Sequence, residues 1–367
     1  MSNEEYLIEL IAGVLNDKNI AEPADNIDFS EVFKFACRHN VHSIAFIGLG
    51  RIKAKPDEEV YRQWKEKYSK DIVRSIKQMN ELSELSRLFS ENEIVHLPLK
   101  GCVLKKMYAA SELRFMSDLD ILIDVKDKKK VKELLEGCGY TCELYGKGNH
   151  DVYRKAPIYN VEIHRNLFID ELVTKAEYYS NFLQRTHAGE NEYARVMSDE
   201  DFYVHNIAHF HKHFDFGGSG IRSVMDVYVM RRAFWESIDI QYVEAELSKL
   251  GLAEFEKSVA RLGDCWFGNG AHDDEIDKVA AYIIGSGTYG NVCNVVNNQI
   301  DTFGKWKWFW RTVFLPYEYM KDTFPVLKKV PVLLPIFWVW RIITTVIKKP
   351  KMVINKAKIF MKRMLFD

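Results

Sequence analysis

The sequence predicts an α+β fold: a small mixed sheet with helices, embedded in larger N- and C-terminal helical regions. Three observations predict it. Residues 1–90 space their apolar side chains three and four apart, as amphipathic helices do. Residues 94–168 instead hold short apolar runs that end in glycine or alternate with polar residues, which is typical of strands. Beyond Glu171 the helical spacing returns and continues to about Asn298.

The same changes of pattern predict four parts in the chain. We expect an N-terminal helical region at 1–90, an α/β core at 91–170, a helical domain at 171–325 and a basic, aromatic-containing tail at 326–367. A chain of 367 residues is long enough for two or three compact domains. With 47% apolar and 28% charged residues, it has the composition of an ordinary globular protein.

The first 90 residues contain two helical patterns. A stretch from about Asp57 to Phe89 alternates an apolar face with Glu and Lys on the other face. Nearer the N terminus, one face of a helix is marked by Leu7, Ile8, Ile11, Ala12 and Leu15.

The central region predicts the order strand, tight turn, helix, strand. The apolar run at 94–101 ends in a glycine, and a helical stretch from Val103 to Ala110 follows it. A second strand is predicted at 118–124 and a helix from Lys128 to Glu136. Further strands are expected between Gly139 and the end of the run 160–164.

The N terminus and the cysteines indicate the compartment. The first six residues begin with acids and lack the basic start and apolar run of a secretory signal, so we expect a cytoplasmic protein. Six cysteines are scattered without a zinc-type spacing, which predicts reduced thiols.

Charge is distributed unevenly along the chain. The last 42 residues hold ten Lys or Arg and one acid, for a net charge of +9, whereas the preceding 325 residues carry −10. The acidic body argues against nucleic-acid binding, which requires a basic surface. Residues 330–347 are apolar, but Pro331, Pro335 and Arg341 argue against a simple spanning helix. Two alternatives remain: the tail meets the inner face of the membrane peripherally, or it packs over the rest of the protein.

Two carboxylates open the predicted strand at 118–124. Alternate residues of a strand face the same way, so Asp118 and Asp120 share one face and Leu119 and Ile121 the other. A divalent cation between two such carboxylates relieves their repulsion, and hard oxygen ligands suit Mg²⁺ or Mn²⁺. The triplet at 199–201 has the same spacing but a polar helix-start context, which favours helix capping.

Glu162 is the candidate for a third carboxylate. Within the run 160–164 apolar and polar residues alternate, so Glu162 and His164 lie on the face opposite Val161 and Ile163. An ordinary half-exposed strand has the same pattern, and only the upstream acids favour a metal-binding interpretation. The predicted metal ligands and catalytic residues are therefore Asp118, Asp120 and Glu162.

Residues 99–123 resemble a known family. The run Leu99-Lys-Gly101, then Leu104, Tyr108, Arg114 and the strand beginning Asp118-Leu-Asp120, is similar to the polymerase β-like nucleotidyltransferases. It resembles most closely a bacterial branch with Lys-Gly where the superfamily usually has Gly-Ser. In this chain Cys102 stands where that serine is expected.

The resemblance implies a reaction. It would be the magnesium-dependent transfer of a nucleoside monophosphate from a nucleoside triphosphate to a hydroxyl-bearing acceptor, small or macromolecular, with release of pyrophosphate. Gly101 would approach the nucleotide phosphates, and Lys100 and Arg114 would bind their oxygens. The alternative is a catalytically silent nucleotide-binding or scaffold protein attached peripherally to the cytoplasmic membrane, which the loss of the serine leaves open.

A histidine-rich stretch adds two candidate residues. His205, His209 and His213 fall on one stripe of a helix, which could face the nucleotide or acceptor, bind zinc, or simply pack in the core. A glycine-rich loop then leads to a helix that contains Asp226. We predict that His209 and Asp226 contribute to binding of nucleotide or acceptor. A phosphohydrolase built on His-Asp dipeptides is disfavoured, because those at 150–151 and 272–273 lie in polar, loop-like stretches.

Overall fold

The computed structural model describes residues 1–157, 159–168 and 173–366. The fold is α+β, as predicted: a five-stranded mixed sheet lies among helices that precede and follow it in the chain. The chain divides into two compact units. The first unit comprises 1–211 and 220–288, and the second comprises 212–219 and 289–367. The division into four parts at 1–90, 91–170, 171–325 and 326–367 remains a prediction.

Four helices precede the sheet. They are α1 (Asn3–Leu15), α2 (Phe29–Arg38), α3 (His42–Gly50) and α4 (Glu58–Glu91). Acceptors at their N termini explain where three of them begin: Ser2 and Glu5 form a capping box on α1, and the carboxylates of Asp28 and Asp57 accept main-chain N–H groups of α2 and α4. The long α4 confirms the helix predicted at 57–89.

The sheet is built from five strands. They are β1 (His96–Pro98), β2 (Leu119–Ile123), β3 (Thr141–Leu144), β4 (His150–Lys155) and β5 (Tyr159–His164), arranged in the order β1-β2-β5-β4-β3. Only β2 and β5 pair in parallel; the other neighbours are antiparallel. Two helices lie between strands along the chain, α5 (Gly101–Leu104) and α6 (Lys128–Gly137). The helix predicted at 103–110 is shorter, because a 3₁₀ turn at Lys105–Met107 ends it and Tyr108 is extended.

One face of the sheet forms the core of this region. The apolar members of β2 and β5 pack there with side chains of α4 and α6, including Leu119, Ile121, Val161, Ile163, Phe89 and Leu135. Each such side chain contributes about 1.5–3 kcal/mol when fully removed from water. This face fixes the sheet against its helices, so the residues between the apolar positions point to the opposite face.

The rest of the first unit is mainly helical. It contains α7 (Val173–Tyr178), a short hairpin of β6 (His187–Ala188) and β7 (Arg195–Val196), α8 (Asp199–Asp215), α9 (Ile221–Phe234), α10 (Ile240–Lys249), α11 (Ala253–Phe267) and α12 (Asp274–Ser286). Only the first part of α8 belongs to this unit. The sequence did not predict the hairpin, because two-residue strands are too short to show an alternating pattern.

The described part of the second unit contains five further α-helices. They are α13 (Val292–Phe303), α14 (Lys305–Val313), α15 (Tyr317–Thr323), α16 (Leu334–Lys348) and α17 (Pro350–Phe366). Val296, Ile300 and Trp308 form a small core with residues of α14 and α17. Among the described residues one stretch, Pro331–Lys348, would by length and composition suffice to cross a membrane; its 18 residues have a mean hydropathy of 1.5 and none is buried.

Candidate active site

The face of the sheet opposite the core carries the carboxylates. In the parallel pair β2–β5, Asp120 lies opposite Glu162 and Leu122 lies opposite His164. In the antiparallel pair β4–β5, His150 lies opposite His164. Since strand residues alternate, these polar side chains project from one face, and Asp118 immediately precedes β2 at the same edge. The three predicted metal ligands are therefore carried by two adjacent strands, with Asp118 and Asp120 at the start of β2 and Glu162 within β5.

Asp120 is the buried centre of this face. Lys100 Nζ donates to Asp120 Oδ1 at 2.8 Å, and His164 Nε2 lies 2.7 Å from the same oxygen. Asn149 Nδ2 approaches His164 Nδ1 at 3.4 Å, so Nδ1 is the acceptor and Nε2 carries the proton given to Asp120. Both partners converge on Oδ1, which leaves Oδ2 directed away from them.

The two aspartates have opposite pKa shifts. Burial would raise the pKa of Asp120, but the Lys100 ammonium and the hydrogen bonds from His164 and Lys100 hold it well below its usual range. Burial, reinforced by the charge of Asp120, raises the pKa of Asp118, although Lys100 and Ser117 act against this. Asp118 therefore lies in a local excess of negative charge, and Asp120 keeps its anionic form.

His164 is kept neutral by the same surroundings. Burial and the nearby Lys100 charge lower the pKa of His164 to about 4, although its bond to Asp120 acts in the other direction. A neutral imidazole donating to a carboxylate orients that carboxylate without adding charge. The alternation of β5 had already placed His164 beside Glu162, but the bond to Asp120 depends on the pairing of two strands.

The turn before α5 delivers Lys100 to Asp120. Lys100 adopts a positive φ of 47°, and the Leu99 N–H donates to the Asp120 carbonyl oxygen at 2.9 Å, which ties the turn to β2. At Gly101 a Cβ would lie 2.5 Å from Arg114 Nη1 and 2.7 Å from Met116 Sδ. Only glycine fits there without displacing those groups. The approach of Gly101 to a phosphate remains a prediction.

Arg114 and Asp226 form a buried pair. Arg114 donates through Nε to Asp226 Oδ1 at 3.2 Å and through Nη2 to Oδ2 at 2.9 Å, while Tyr108 Oη donates to Oδ1 at 2.8 Å. This bidentate geometry is the strongest form of the arginine–carboxylate contact. From the sequence, Arg114 was expected to bind the nucleotide phosphates and Asp226 the nucleotide or the acceptor. In the structure these two side chains bind each other, behind the Gly101 turn.

The start of α9 also reaches the carboxylate face. Arg222 Nη1 donates to the Phe115 carbonyl oxygen at 3.1 Å. Its charge is among the influences that lower the pKa of Asp118, after burial and Asp120 have raised it. The sequence pointed to this helix start without assigning a role to Arg222.

His209 lies half-buried on α8 beside an aromatic cluster. The ring of His205, one turn earlier, is buried against Phe168 and Tyr179 with centroid distances of 6.1 and 5.8 Å, and its centroid is 6.4 Å from that of His209. The contacts of His205 match the core-packing alternative. The binding role of His209 remains a prediction.

Comparison with protein families decides the classification. The model of a family described as "Uncharacterised nucleotidyltransferase" matches residues 25–268. The chain belongs to this nucleotidyltransferase family. The matched range contains the whole sheet, the Lys100 turn and the helices from α2 to α11. A search among curated proteins finds no match.

The donor set of this nucleotidyltransferase-family protein fits a divalent cation. Three carboxylates share a face with Lys100, so negative charge is in excess, and Asp120 Oδ2 receives neither Lys100 nor His164. Carboxylate oxygens are the ligands that Mg²⁺ prefers. Nearby, His150, Glu162 and His164 offer ligand atoms within 4.8 Å of one another, and two imidazoles beside a carboxylate suit a borderline ion such as Zn²⁺ or Fe²⁺ rather than Mg²⁺.

His150 was interpreted wrongly from the sequence. The dipeptide His150-Asp151 was expected in a loop-like stretch, but it begins β4, with Asp151 buried and His150 turned toward Glu162 at 3.6 Å. Its polar sequence neighbours hid the strand, whose alternation is clear only from the pairing with β5. No sequence signal connected His150 with Glu162.

Proposed function

We propose that this protein transfers a nucleoside monophosphate from a nucleoside triphosphate to a hydroxyl-bearing acceptor and releases pyrophosphate. The observation that supports this most directly is the strand register that sets Asp120 opposite Glu162, with Asp118 at the same edge. Three carboxylates beside one lysine form a site for a metal-bound polyphosphate rather than a closed structural ion pair.

Asp118, Asp120 and Glu162 would hold the cation, Mg²⁺ or Mn²⁺, which when bound supplies electrostatic stabilisation of the charge on the phosphates. His164 and Lys100 fix the orientation of Asp120 through its Oδ1. We assign Lys100 a second role, in which its ammonium, at the mouth of the turn before α5, attracts the triphosphate oxygens.

We propose that Glu162 is the general base that accepts the proton of the acceptor hydroxyl. Its Oε2 lies 3.6 Å from His150 Nε2 and 3.7 Å from His164 Nε2, and its side chain remains partly exposed. A general base needs access to the reacting hydroxyl, which the exposed side of Glu162 provides.

A second candidate is a nucleotide-binding protein without turnover. The observation in its favour is Cys102, which is buried where the superfamily has a serine. Burial and the nearby Asp120 charge raise the pKa of the Cys102 thiol to about 12, so it stays protonated and is only a weak donor to a phosphate. Nucleotide binding would then survive while transfer is lost.

The test uses triphosphates labelled separately at the α- and γ-phosphate. The purified protein is incubated with each of the four, with Mg²⁺ or Mn²⁺ and an extract of cellular metabolites and proteins as acceptors. We expect α-label in a new product and γ-label in pyrophosphate. Binding of a triphosphate without movement of either label would favour the second candidate, and γ-label in an acceptor would indicate phosphoryl transfer instead.

A further inference from the structure

In the second unit, α16 has its charged side chain on the inner side and apolar side chains on the outer side, the reverse of a surface helix that faces water. On its inner side α16 is tied to α14: Trp338 Nε1 donates to the Leu315 carbonyl oxygen, and Arg341 Nη2 donates to the carbonyl oxygens of Thr312 and Val313, each at 2.8 Å. Arg341 is the one charged residue between Leu334 and Ile347. The helix therefore turns its charge inward.

The outer side of α16 is entirely apolar. Its exposed residues recur at three- and four-residue spacing and share one stripe: Ile336, Val339, Trp340, Ile343, Val346 and Ile347. Ile336 is 63% exposed and Ile347 72%. A helix that faces water carries polar residues on that side, and a continuous apolar stripe of this length marks a surface that meets another apolar phase.

The neighbouring helix α14 extends this surface with aromatic rings. Trp306, Trp310 and Phe314 are exposed at intervals of four residues. The Phe314 ring meets that of Trp338 with centroids 5.2 Å apart, so α16 packs directly beside the end of this aromatic row. Tryptophan is enriched where a protein passes from water to lipid, because its ring is apolar and its N–H is polar.

Basic residues frame the apolar stripe at both ends. Exposed lysines precede it at Lys328 and Lys329 and follow it at Lys348, Lys349 and Lys351. The last 42 residues carry a net charge of +9. A surface with an apolar centre and a basic edge is complementary to a bilayer that contains anionic lipids, because the headgroups attract the lysines while the apolar side chains enter the acyl region.

A cleft between α14, α16 and α17 adds a second feature suited to lipid. It has a volume of about 410 Å³ and is lined mostly by apolar side chains, among them Val313, Ile342, Val346, Met352, Phe360 and Met361. Arg341 and Lys356 are its basic lining residues. An apolar cleft with a few cations matches an acyl chain below an anionic headgroup.

We propose that the second unit binds the surface of an anionic bilayer, with α16 lying in the plane of the interface. The α-helix itself begins only at Leu334, after a 3₁₀ turn, and at about 1.5 Å per residue its 15 residues reach roughly 22 Å, less than the roughly 30 Å of the hydrocarbon core. Lysines at both ends and the bonds of Arg341 to α14 also match a helix held at one surface. The proposal does not depend on nucleotidyl transfer.

The experiment is flotation of the full-length protein with preformed vesicles, of phosphatidylcholine alone or mixed with phosphatidylglycerol. We expect strong binding only to the anionic vesicles. Binding should decrease when salt rises from about 0.1 M to about 1 M, because the Debye length falls from about 10 Å to about 3 Å. Quenching of tryptophan fluorescence by lipids brominated in the acyl chains should accompany binding and should weaken in Trp340→Phe.

Two matched variants separate insertion from general charge effects. Ile343→Asp puts a carboxylate in the apolar stripe at a position that is 50% exposed. Ile76→Asp makes the same change on α4 of the first unit, at a position that is 55% exposed. Neither position is buried, so circular dichroism should show both variants folded. We expect Ile343→Asp to weaken vesicle binding about tenfold or more, since an acid inside the apolar region is costly, and Ile76→Asp to bind like the parent.

Three results would overturn the proposal. The first is no flotation of the full-length protein with any vesicle. The second is equal binding by the two variants, because the stripe would then not contact lipid. The third is lipid-independent self-association that Ile343→Asp abolishes while vesicles remain unbound, which would make a second copy of the chain the occupant of this surface.

Discussion

Two buried aspartates of the first unit, Asp120 and Asp226, are each paired with a cation but differ in how their oxygens are used. Asp226 has both oxygens occupied, by the two nitrogens of Arg114 and by Tyr108. Asp120 receives Lys100 and His164 on one oxygen only, and Asp118 and Glu162 add further negative charge beside it. The Asp226 cluster is closed, whereas the Asp120 cluster has an oxygen and an excess of charge left for a ligand.

The comparison shows that the burial of a carboxylate does not by itself tell whether it stabilises the fold or belongs to a functional site. Both carboxylates are almost inaccessible, and both have a cation within hydrogen-bonding distance. What distinguishes them is the balance of charge and the number of acceptor positions already filled. A balanced, saturated pair stabilises the fold, whereas an unbalanced cluster is the arrangement that a bound cation would complete.

The largest effect is expected for Asp120→Asn. We expect transfer to fall by about 10⁴-fold, equivalent to about 5 kcal/mol on the barrier, because a charged metal ligand is lost. The free energy of unfolding should change by less than about 2 kcal/mol, because Asp118 and Glu162 still face the Lys100 ammonium. Steady-state kinetics and urea unfolding measure the two quantities.

Asp124→Asn is the matched control, since it removes the same charge at the end of the same strand, where Asp124 contacts Lys126. It should retain transfer. Magnesium-dependent turnover at parental rate in Asp120→Asn would refute the assignment of the site.

The next effect is expected for Asp226→Asn, and it should be on stability. Breaking the bidentate pair leaves Arg114 buried beside an amide, which costs about 3–5 kcal/mol of unfolding free energy. Tyr108→Phe removes one hydrogen bond of the same cluster and should cost about 1 kcal/mol. Transfer per folded molecule should change much less than in Asp120→Asn. A loss of nucleotide affinity with unchanged stability would instead show that Asp226 contacts the nucleotide, as the sequence predicts.

A third measurement tests the effect of burial on an ionisable group that has no carboxylate partner among its hydrogen bonds, through the pH dependence of the unfolding free energy. His39 is buried, its Nδ1 accepts the Ile221 N–H at 3.1 Å, and burial, with the charge of Arg38, lowers its pKa from 6.5 to about 4. Between these values the unfolded chain takes up a proton that folded His39 does not. The contribution of His39 to the free energy of unfolding should therefore fall by about 3 kcal/mol as the pH drops from 6.5 to 4, and recover as it rises.

His39→Gln keeps an acceptor for the Ile221 N–H and removes the titration. Its unfolding free energy should depend less steeply on pH over the same range, by up to about 1.4 kcal/mol per pH unit. Replacement of the exposed His187 by Gln is the control and should leave the slope unchanged. Parallel slopes for His39→Gln and the parent would mean that His39 is not the titrating group.

The smallest effect is expected for Gly101→Ala. This variant tests whether the Arg114–Asp226 pair supports the turn that carries Lys100 to Asp120. The added methyl group would meet Arg114 Nη1 and Met116 Sδ, and Arg114 cannot move freely while bonded to Asp226. We expect the turn to shift, transfer to fall about tenfold and stability to fall by about 1–2 kcal/mol. Gly137→Ala, where a Cβ has open space, should be neutral. Equal transfer kinetics in the two variants would show that the Arg114–Asp226 pair does not support the active site.

Much of the fold followed from local patterns. The strand at 119–123, the helix at 128–137 and the long α4 were predicted because each repeats its apolar residues over enough positions to show a period of 2 or 3.6. The β6–β7 hairpin was missed, and β4 was expected only as one of the unplaced strands after Gly139 and not at His150, because two-residue strands and polar strands have no such period. The helix predicted at 103–110 was too long compared with α5, because the helical spacing of apolar residues continues past Tyr108, where the chain is extended and the side chain binds Asp226.

The sequence by itself determined that Asp118 and Asp120 share a face, and that Glu162 and His164 share another, because side-chain alternation is a property of each strand alone. Only the tertiary structure brought these pairs together, through the parallel register of β2 and β5. It also decided that Lys100 reaches Asp120 across 20 residues and that Arg114 binds Asp226 across 112. Such partners depend on which strands and helices pack side by side, and no local period of the chain encodes that choice.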